Sequence, residues 1–196
     1  MPQRNLLASR CIGMKAKKPF KLIIAAITTT TLLFFGCRDL RTINKDFQAK
    51  EISFDLPMIP VSGDFDFSQR TPLNLKDQIE AIHIPLVTLK GFSVREVVIE
   101  LKDSTAGQPI TFDALDNLYL YIAGDSLPEV LIASKDPVPH TNSTILNMDT
   151  NSGVNLLPYA KVPFVTYRVK GKSNKATEKA VKMSIKIKWR VTAEIL

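Results

Sequence analysis

The stretch "AVKMSIKIKWRVTA", residues 180–193, carries the plainest structural signal in the chain. Val181, Met183, Ile185, Ile187, Trp189 and Val191 alternate with Lys182, Ser184, Lys186, Lys188, Arg190 and Thr192. Successive side chains of a strand point to opposite faces, so a period of two over this length reads as a strand with one dry face and one wet face. The same period recurs upstream. "EISFDLPM" puts Ile52, Phe54 and Leu56 on one side, and "REVVIELK" sets Val97, Ile99 and Leu101 against Glu96, Glu100 and Lys102. "NLYLYIA" sets Leu118, Leu120 and Ile122 against Tyr119 and Tyr121, while "EVLIA", "STILNM" and "PFVTYRVK" are shorter runs of the same kind. Turn-forming clusters, "VSGDFDFSQRTPLN", "DSTAGQP", "AGDSLP", "KDPVPHTN" and "DTNSG", separate them. Alternation favours antiparallel pairing, because buried parallel strands read as continuous apolar runs. The expected fold is all-β, an antiparallel β-sandwich of about seven to nine strands over residues 51–196. A closed barrel would satisfy the same pattern. "LKDQIEAIH", residues 75–83, predicts one short helix.

The start of the chain has a different character. Residues 1–36 hold Arg4, Arg10, Lys15, Lys17, Lys18 and Lys21 and no acidic residue, and Leu22–Phe35 is an uncharged run of 14 residues containing Thr28–Thr31. A membrane-crossing helix needs about 20 apolar residues. A basic segment, a shorter apolar run and a small residue before the break instead describe a secretory signal peptide. Residues 1–36 are read that way, with Met14 as the expected true start. Phe34-Phe35-Gly36-Cys37 resembles the lipobox of bacterial lipoproteins, in which cleavage precedes the Cys and the thiol carries diacylglycerol; Phe34 stands where Leu is usual. No Cys follows Cys37, and a lone thiol is a liability in an oxidising compartment unless it is used. Residues 37–50 lack strand alternation and are expected to be a lipidated tether, whose 13 residues after Cys37 reach about 43 Å when extended.

"FDALDNLYLYIAGDSLPEVLIAS", "NLLPYAKVPFVTYRVKG" and the Lys-alternating final strand together resemble small lipoproteins of Bacteroidota-type bacteria. The resemblance spans roughly residues 50–196 and implies an immunoglobulin-like or jelly-roll sandwich at the cell envelope. It implies no catalytic residues. Arg38 follows Cys37 where enteric inner-membrane lipoproteins carry Asp, so the outer membrane is the expected address. Asp39 lies between Arg38 and Arg41, unlike the acid-rich surface-export signals of such lipoproteins, which favours the periplasmic face.

Residues able to do chemistry are sparse. His83 and His140 stand apart and fit no metal-ligand spacing. There is no GxSxG, no phosphate-binding Gly-rich loop and no thiol beyond the lipidated one. Asp64, Asp66, Asp113, Asp116 and Asp125 fall in turns, where Asp is common, and none fits a calcium loop. No catalytic residue, metal or cofactor is therefore expected. "DST" and "DSL" place Ser104 and Ser126 in the short Asp-Ser/Thr motif that bacteria of this type modify with O-glycans.

The formal charge of +7 points toward nucleic acid only until the signal region is set aside. Six of the 26 Lys and Arg precede Cys37, leaving 20 against 19 Asp and Glu, and no nucleic-acid motif is present. The remaining charges are segregated along the chain. Residues 38–160 hold 10 basic and 17 acidic residues, a net −7, and residues 161–196 hold 10 and 2, a net +8. The basic part reads as one hairpin with Arg168, Lys170, Lys182, Lys186, Lys188 and Arg190 outward. Such a face would dock an anionic envelope partner: lipid head groups, an acidic glycan or an acidic protein. It would equally serve as a Lys-protected sheet edge. The expected function is thus a non-enzymatic, lipid-anchored binding module, with a lipid or small-ligand carrier as the alternative and a hydrolase as the third. Cys37→Ser should abolish palmitate labelling and release the protein from membrane fractions. A wild-type protein that takes up no labelled lipid would contradict the lipobox.

Overall fold

Strand β9 (Val181–Glu194) has hydrogen-bonded neighbours along both edges. In this structure, a computed structural model, the described residues are 42–56, 62–72, 79, 81, 89–102, 110–176 and 180–194, all within the unit Thr42–Leu196. On one edge of β9 runs β4 (Leu89–Lys102), antiparallel, with Leu89 opposite Ala193 and Lys102 opposite Lys182. Two short strands share the other edge: β1 (Thr42–Gln48) lies opposite Lys188–Glu194 and β2 (Ile52–Leu56) opposite Val181–Ile185. The break between them is held by the Ala49 N–H, which donates to the Ile187 carbonyl at 3.0 Å.

The other strands are β3 (Gly63–Pro72), β5 (Leu115–Gly124), β6 (Leu127–Lys135), β7 (Ile145–Thr150) and β8 (Phe164–Ser173). The strand order is β1-β9-β4-β7-β6-β5-β8-β3, with β2 also on β9. All pairings are antiparallel, and the fold is the all-β class that the alternation predicts. The layers are continuous through β7. Its first half pairs with β4, from Ile145 opposite Glu100 to Met148 opposite Val97, and its end pairs Asp149 and Thr150 with Ser134 and Ala133 of β6. One sheet thus folds on itself, giving a first layer of β1, β2, β9 and β4 and a second of β6, β5, β8 and β3. No pairing among the described residues joins β3 to β1 or β2, so the described strands form an open, sandwich-like sheet.

The tether expected at 37–50 is corrected by β1. Residues 42–48 pair with β9 in register, Asp46 opposite Arg190 and Phe47 opposite Trp189. The strand escapes the alternation test because Lys45 shares a face with Ile43 and Phe47, and it is a mostly exposed edge strand. Of the helix expected at 75–83, only Ile79 and Ala81 are described; both are helical and Ile79 is fully buried. The hairpin expected from the last two strands is not formed. Strand β8 pairs with β3 and β5, and β9 pairs with β1, β2 and β4, so the two lie in different layers. Neighbouring alternating runs read as a hairpin when each is taken for the other's partner. Here each finds its partners far away in sequence.

The core lies between the layers. Val94, Val97, Ile99, Ile185, Ile187 and Trp189 from one side and Leu118, Leu120, Ile122, Ile132, Val165 and Val169 from the other are almost completely buried. Trp189 stacks on Phe92 with centroids 4.7 Å apart, and Phe92 stacks on Phe47 at 6.3 Å. The indole Nε1 is buried and has no hydrogen-bond partner among the described residues. Trp189 fluorescence should therefore be blue-shifted, and Trp189→Ala should cost about 3–5 kcal/mol in urea unfolding. Trp189→Phe should cost clearly less, since it keeps a ring on Phe92 and removes an unpaired donor. A solvent-like emission maximum from the native protein would contradict this packing.

Candidate functional site

Because inward and outward residues alternate, each layer presents an outer face built from every second side chain. On the outer face of the first layer the β9 cations meet acids from neighbouring strands. Lys186 Nζ lies 2.9 Å from Glu100 of β4, and Lys188 Nζ lies 2.9 Å from Glu96 of β4. Arg190 grips Asp46 of β1 with two bonds, Nε–Oδ1 at 2.8 Å and the second at 3.0 Å. Glu51, just before β2, accepts from Lys102 and from the Ser184 hydroxyl. Lys182 is exposed and carries no ion pair among the described residues. A shallow groove of about 210 Å³ runs along Gln48, Glu96, Val98, Lys186 and Lys188.

The outer face of the second layer is organised around β8. Arg168 forms a two-pronged pair with Asp66 of β3, at 2.6 and 2.5 Å, and reaches Glu129 of β6 at 3.0 Å. Lys170 Nζ lies 2.7 Å from the other oxygen of Glu129 and 4.5 Å from the centre of the Tyr121 ring. Arg70 pairs with Asp125 at 2.6 Å and sits 4.5 Å over the Phe164 ring. Beside this network lies a groove of about 450 Å³ lined by Asp64, Phe65, Asp66, Asn117, Tyr119, Tyr121, Lys170 and Gly171. Gly171 is required there: a Cβ would stand 2.5 Å from the Asn117 carbonyl oxygen and 2.5 Å from Phe65 Cζ, so the Phe65 ring packs directly on the backbone.

These contacts set the ionisation of the groups involved. The Arg190 hydrogen bonds hold the Asp46 carboxyl below its usual range, and those of Arg168 do the same for Asp66. Lys102, then Ser184, lower Glu51, while Lys170, then Arg168, lower Glu129. Arg168 and Lys186 are correspondingly held charged, by Asp66 and by Glu100 respectively. Tyr119 donates to Asp136, which raises its phenol. Burial raises Tyr167.

The six basic residues expected to share one face are thus divided between two. Arg168 and Lys170 lie on the second layer and Lys182, Lys186, Lys188 and Arg190 on the first. Five of the six are ion-paired, to acids from the earlier part of the chain. Strand pairing thus sets half of the ten basic residues of 161–196 against acids of the earlier segment. Of the aspartates expected in turns, Asp64 and Asp66 lie instead in β3 and Asp116 in β5, and Asp113 and Asp116 have structural work. Asp113 accepts from the Asn142 N–H at 2.9 Å, and Asp116 accepts from the Asn174 side chain at 3.1 Å. Among the described residues no cluster of three or more His, Cys, Asp or Glu could hold a metal ion. Ser126 is exposed in the turn between β5 and β6, and His140 is exposed. Cys37, Ser104 and His83 lie outside the described residues.

The groove beside β5 was missed from sequence. Its signal is the run Asn117, Tyr119, Tyr121, which places an amide and two aromatic rings on the wet face of a strand. No family model and no curated protein matches the chain. Among solved structures, a chain from Desmodium yellow mottle tymovirus is 7% identical with a TM-score of 0.25, covering 79% of this chain and 89% of its own. One from turnip yellow mosaic virus is 8% identical with a TM-score of 0.23, covering 79% and 82%. Likeness at this level carries no functional argument.

The lowered carboxyls fix a pH dependence. Asp46, Asp66, Glu51 and Glu129 bind protons less readily folded than unfolded, so their stabilisation is complete above the ordinary values of 3.8 and 4.5. It is lost as pH falls through the lowered folded values. The urea midpoint should drop between about pH 5 and pH 2. The drop should be smaller in 1 M salt, where screening has already weakened exposed pairs. A midpoint flat across this window would contradict the pairing.

Proposed function

We propose that the chain is a lipoprotein of the bacterial outer membrane, held through Cys37, whose β-sandwich is a non-enzymatic binding module for another envelope component. The observation that carries this reading is the division of the molecule into a dry interior and two patterned outer faces. The core side chains of β4, β5, β8 and β9 interdigitate at essentially zero exposure, which favours a display scaffold over a carrier with an apolar interior. Two of the acids around the larger groove, Asp66 in its lining and Glu129 beside it, do not fit a hydrolytic pair. A glycosidase pair needs one carboxyl with a raised pKa, whereas Asp66 and Glu129 are both lowered by Arg168 and Lys170. The lipobox-like Phe34–Cys37 supports the anchor, and Arg38 supports the outer membrane with its periplasmic face. Membership of the Bacteroidota-type lipoproteins rests on the sequence resemblance alone.

An anionic partner is the second reading, and the first layer is the face to test. Lys182, at one end of the β9 stripe, has no ion pair among the described residues, but Lys186, Lys188 and Arg190 would each have to share their charge with an acid already bound. Crosslinking in intact cells followed by capture of the full chain should retrieve a discrete envelope component, and retrieval of nothing would contradict the binding module. Lys186→Glu with Lys188→Glu sets like charges beside Glu100 and Glu96, so the melting temperature should fall modestly. If the face docks an anion, capture should fall with it and weaken with salt. Unchanged capture would leave the stripe as an ion-paired, Lys-protected sheet surface.

A further inference from the structure

We infer that the groove on the outer face of β3, β8 and β5 is a binding site for a short neutral saccharide. This rests on the binding-module reading above and names its ligand class. A pyranose presents two chemistries at once. Its hydroxyls need donors and acceptors around the ring edge, and its C–H faces pack on aromatic rings. The groove offers both. Tyr119 and Tyr121 occupy alternate outward positions of β5, so their side chains emerge about 7 Å apart along the strand. Both rings are half-buried and line the groove. The Asp64 carboxylate and the Asn117 amide border it, and neither side chain has a hydrogen-bond partner among the described residues. A free carboxylate and a free amide together supply acceptors and donors within reach of one ligand.

Charge decides against the other small ligands. Lys170 and Arg168, which would attract an anion, are already held by Glu129 and Asp66. At the same end Asp64 and Asp136 together outweigh the exposed cation Lys172, which stands in register between Asp64 and Asn117. An acidic glycan or a phosphate would meet these acids, and an apolar ligand would have to desolvate Asp64, Asn117 and Lys170 without replacing their water. The groove is open and, at about 450 Å³, of a size to take a short oligosaccharide lying along the sheet. The rigidity also fits. Lys170 is clamped over Tyr121, Tyr119 is bonded to Asp136, and Gly171 lets Phe65 floor the site, so little ordering remains for binding to impose.

The test uses the purified full-length chain in detergent and a panel of neutral hexasaccharides, with a uronic-acid oligosaccharide as the charged comparison. Saturation-transfer NMR should show contact with at least one neutral member, and calorimetry should show that the uronic-acid chain binds more weakly. Tyr119→Ala should weaken that binding by about tenfold, as expected for loss of one stacking ring. Tyr119→Phe should retain it, because the ring and not the phenol is the platform. Asn117→Ala should also weaken it, while Ser53→Ala on the exposed side of β2 in the other layer should not. Native Trp189 emission in each variant reports that the fold is intact. Absence of binding across the neutral panel, binding indifferent to Tyr119→Ala, or a preference for the uronic-acid chain would each overturn the proposal. Envelope capture that survives Tyr119→Ala with Asn117→Ala would overturn the groove while leaving the binding module standing.

Discussion

The dry face of β9 against β4 is the contact on which the rest of the architecture depends. A strand with neighbours on both edges has all its backbone groups satisfied, and here those neighbours are β4 on one side and β1 and β2 on the other. Trp189 sits in the middle of that arrangement at zero exposure, with Phe92 of β4 stacked on it and Phe47 of β1 stacked on Phe92. The aromatic column joins three strands that are far apart in sequence. It also fixes register, since a slip of one residue would exchange Trp189 for Lys188 or Arg190 at the core.

Fixing register on the dry face fixes it on the wet face as well. Once Trp189 lies opposite Phe47, Arg190 must lie opposite Asp46. Once Ile187 lies opposite Val97 and Lys188 opposite Glu96, the ion pairs of β9 with β4 follow from the pleat. The salt bridges are consequences of core packing more than causes of folding, as their half-exposed side chains imply. Their effect is on surface electrostatics. Charges that are segregated along the sequence are brought together as cross-strand pairs on both faces.

The second layer uses the same logic to make a concave surface. Strand β8 stands between β3 and β5, so its cations lie between the acids of β3 and β6 and the tyrosines of β5. Gly171 removes a side chain where Phe65 and the Asn117 backbone converge. The resulting hollow has fixed walls, two aromatic rings and two unengaged polar groups. That combination is absent from the first layer, where the groove is smaller and lined by paired charges.

Much of the fold was legible from period-two alternation, because a half-buried strand leaves its burial pattern in its own residues. Strands β4, β5, β8 and β9 were readable in this way, as was the burial of Trp189. The expectations of a signal peptide over residues 1–36 and of lipidation at Cys37 likewise rest on local sequence patterns alone. Strand β1 was not readable, because an edge strand buries little and Lys45 breaks its alternation. The pairing of strands was not readable either. Alternation says which face of a strand is dry but not which strand lies beside it, so β8 and β9 looked like a hairpin and their six cations like one surface. The partners that neutralise those cations, Asp46, Asp66, Glu96, Glu100 and Glu129, lie from 39 to 144 residues away. Tyr119 and Tyr121 were visibly outward in sequence, but Asp64, more than fifty residues earlier, could join them only when β3 took its place beside β8. Periodicity is written within a strand, whereas a site on a sheet is written across strands, and only tertiary pairing decides which residues share it.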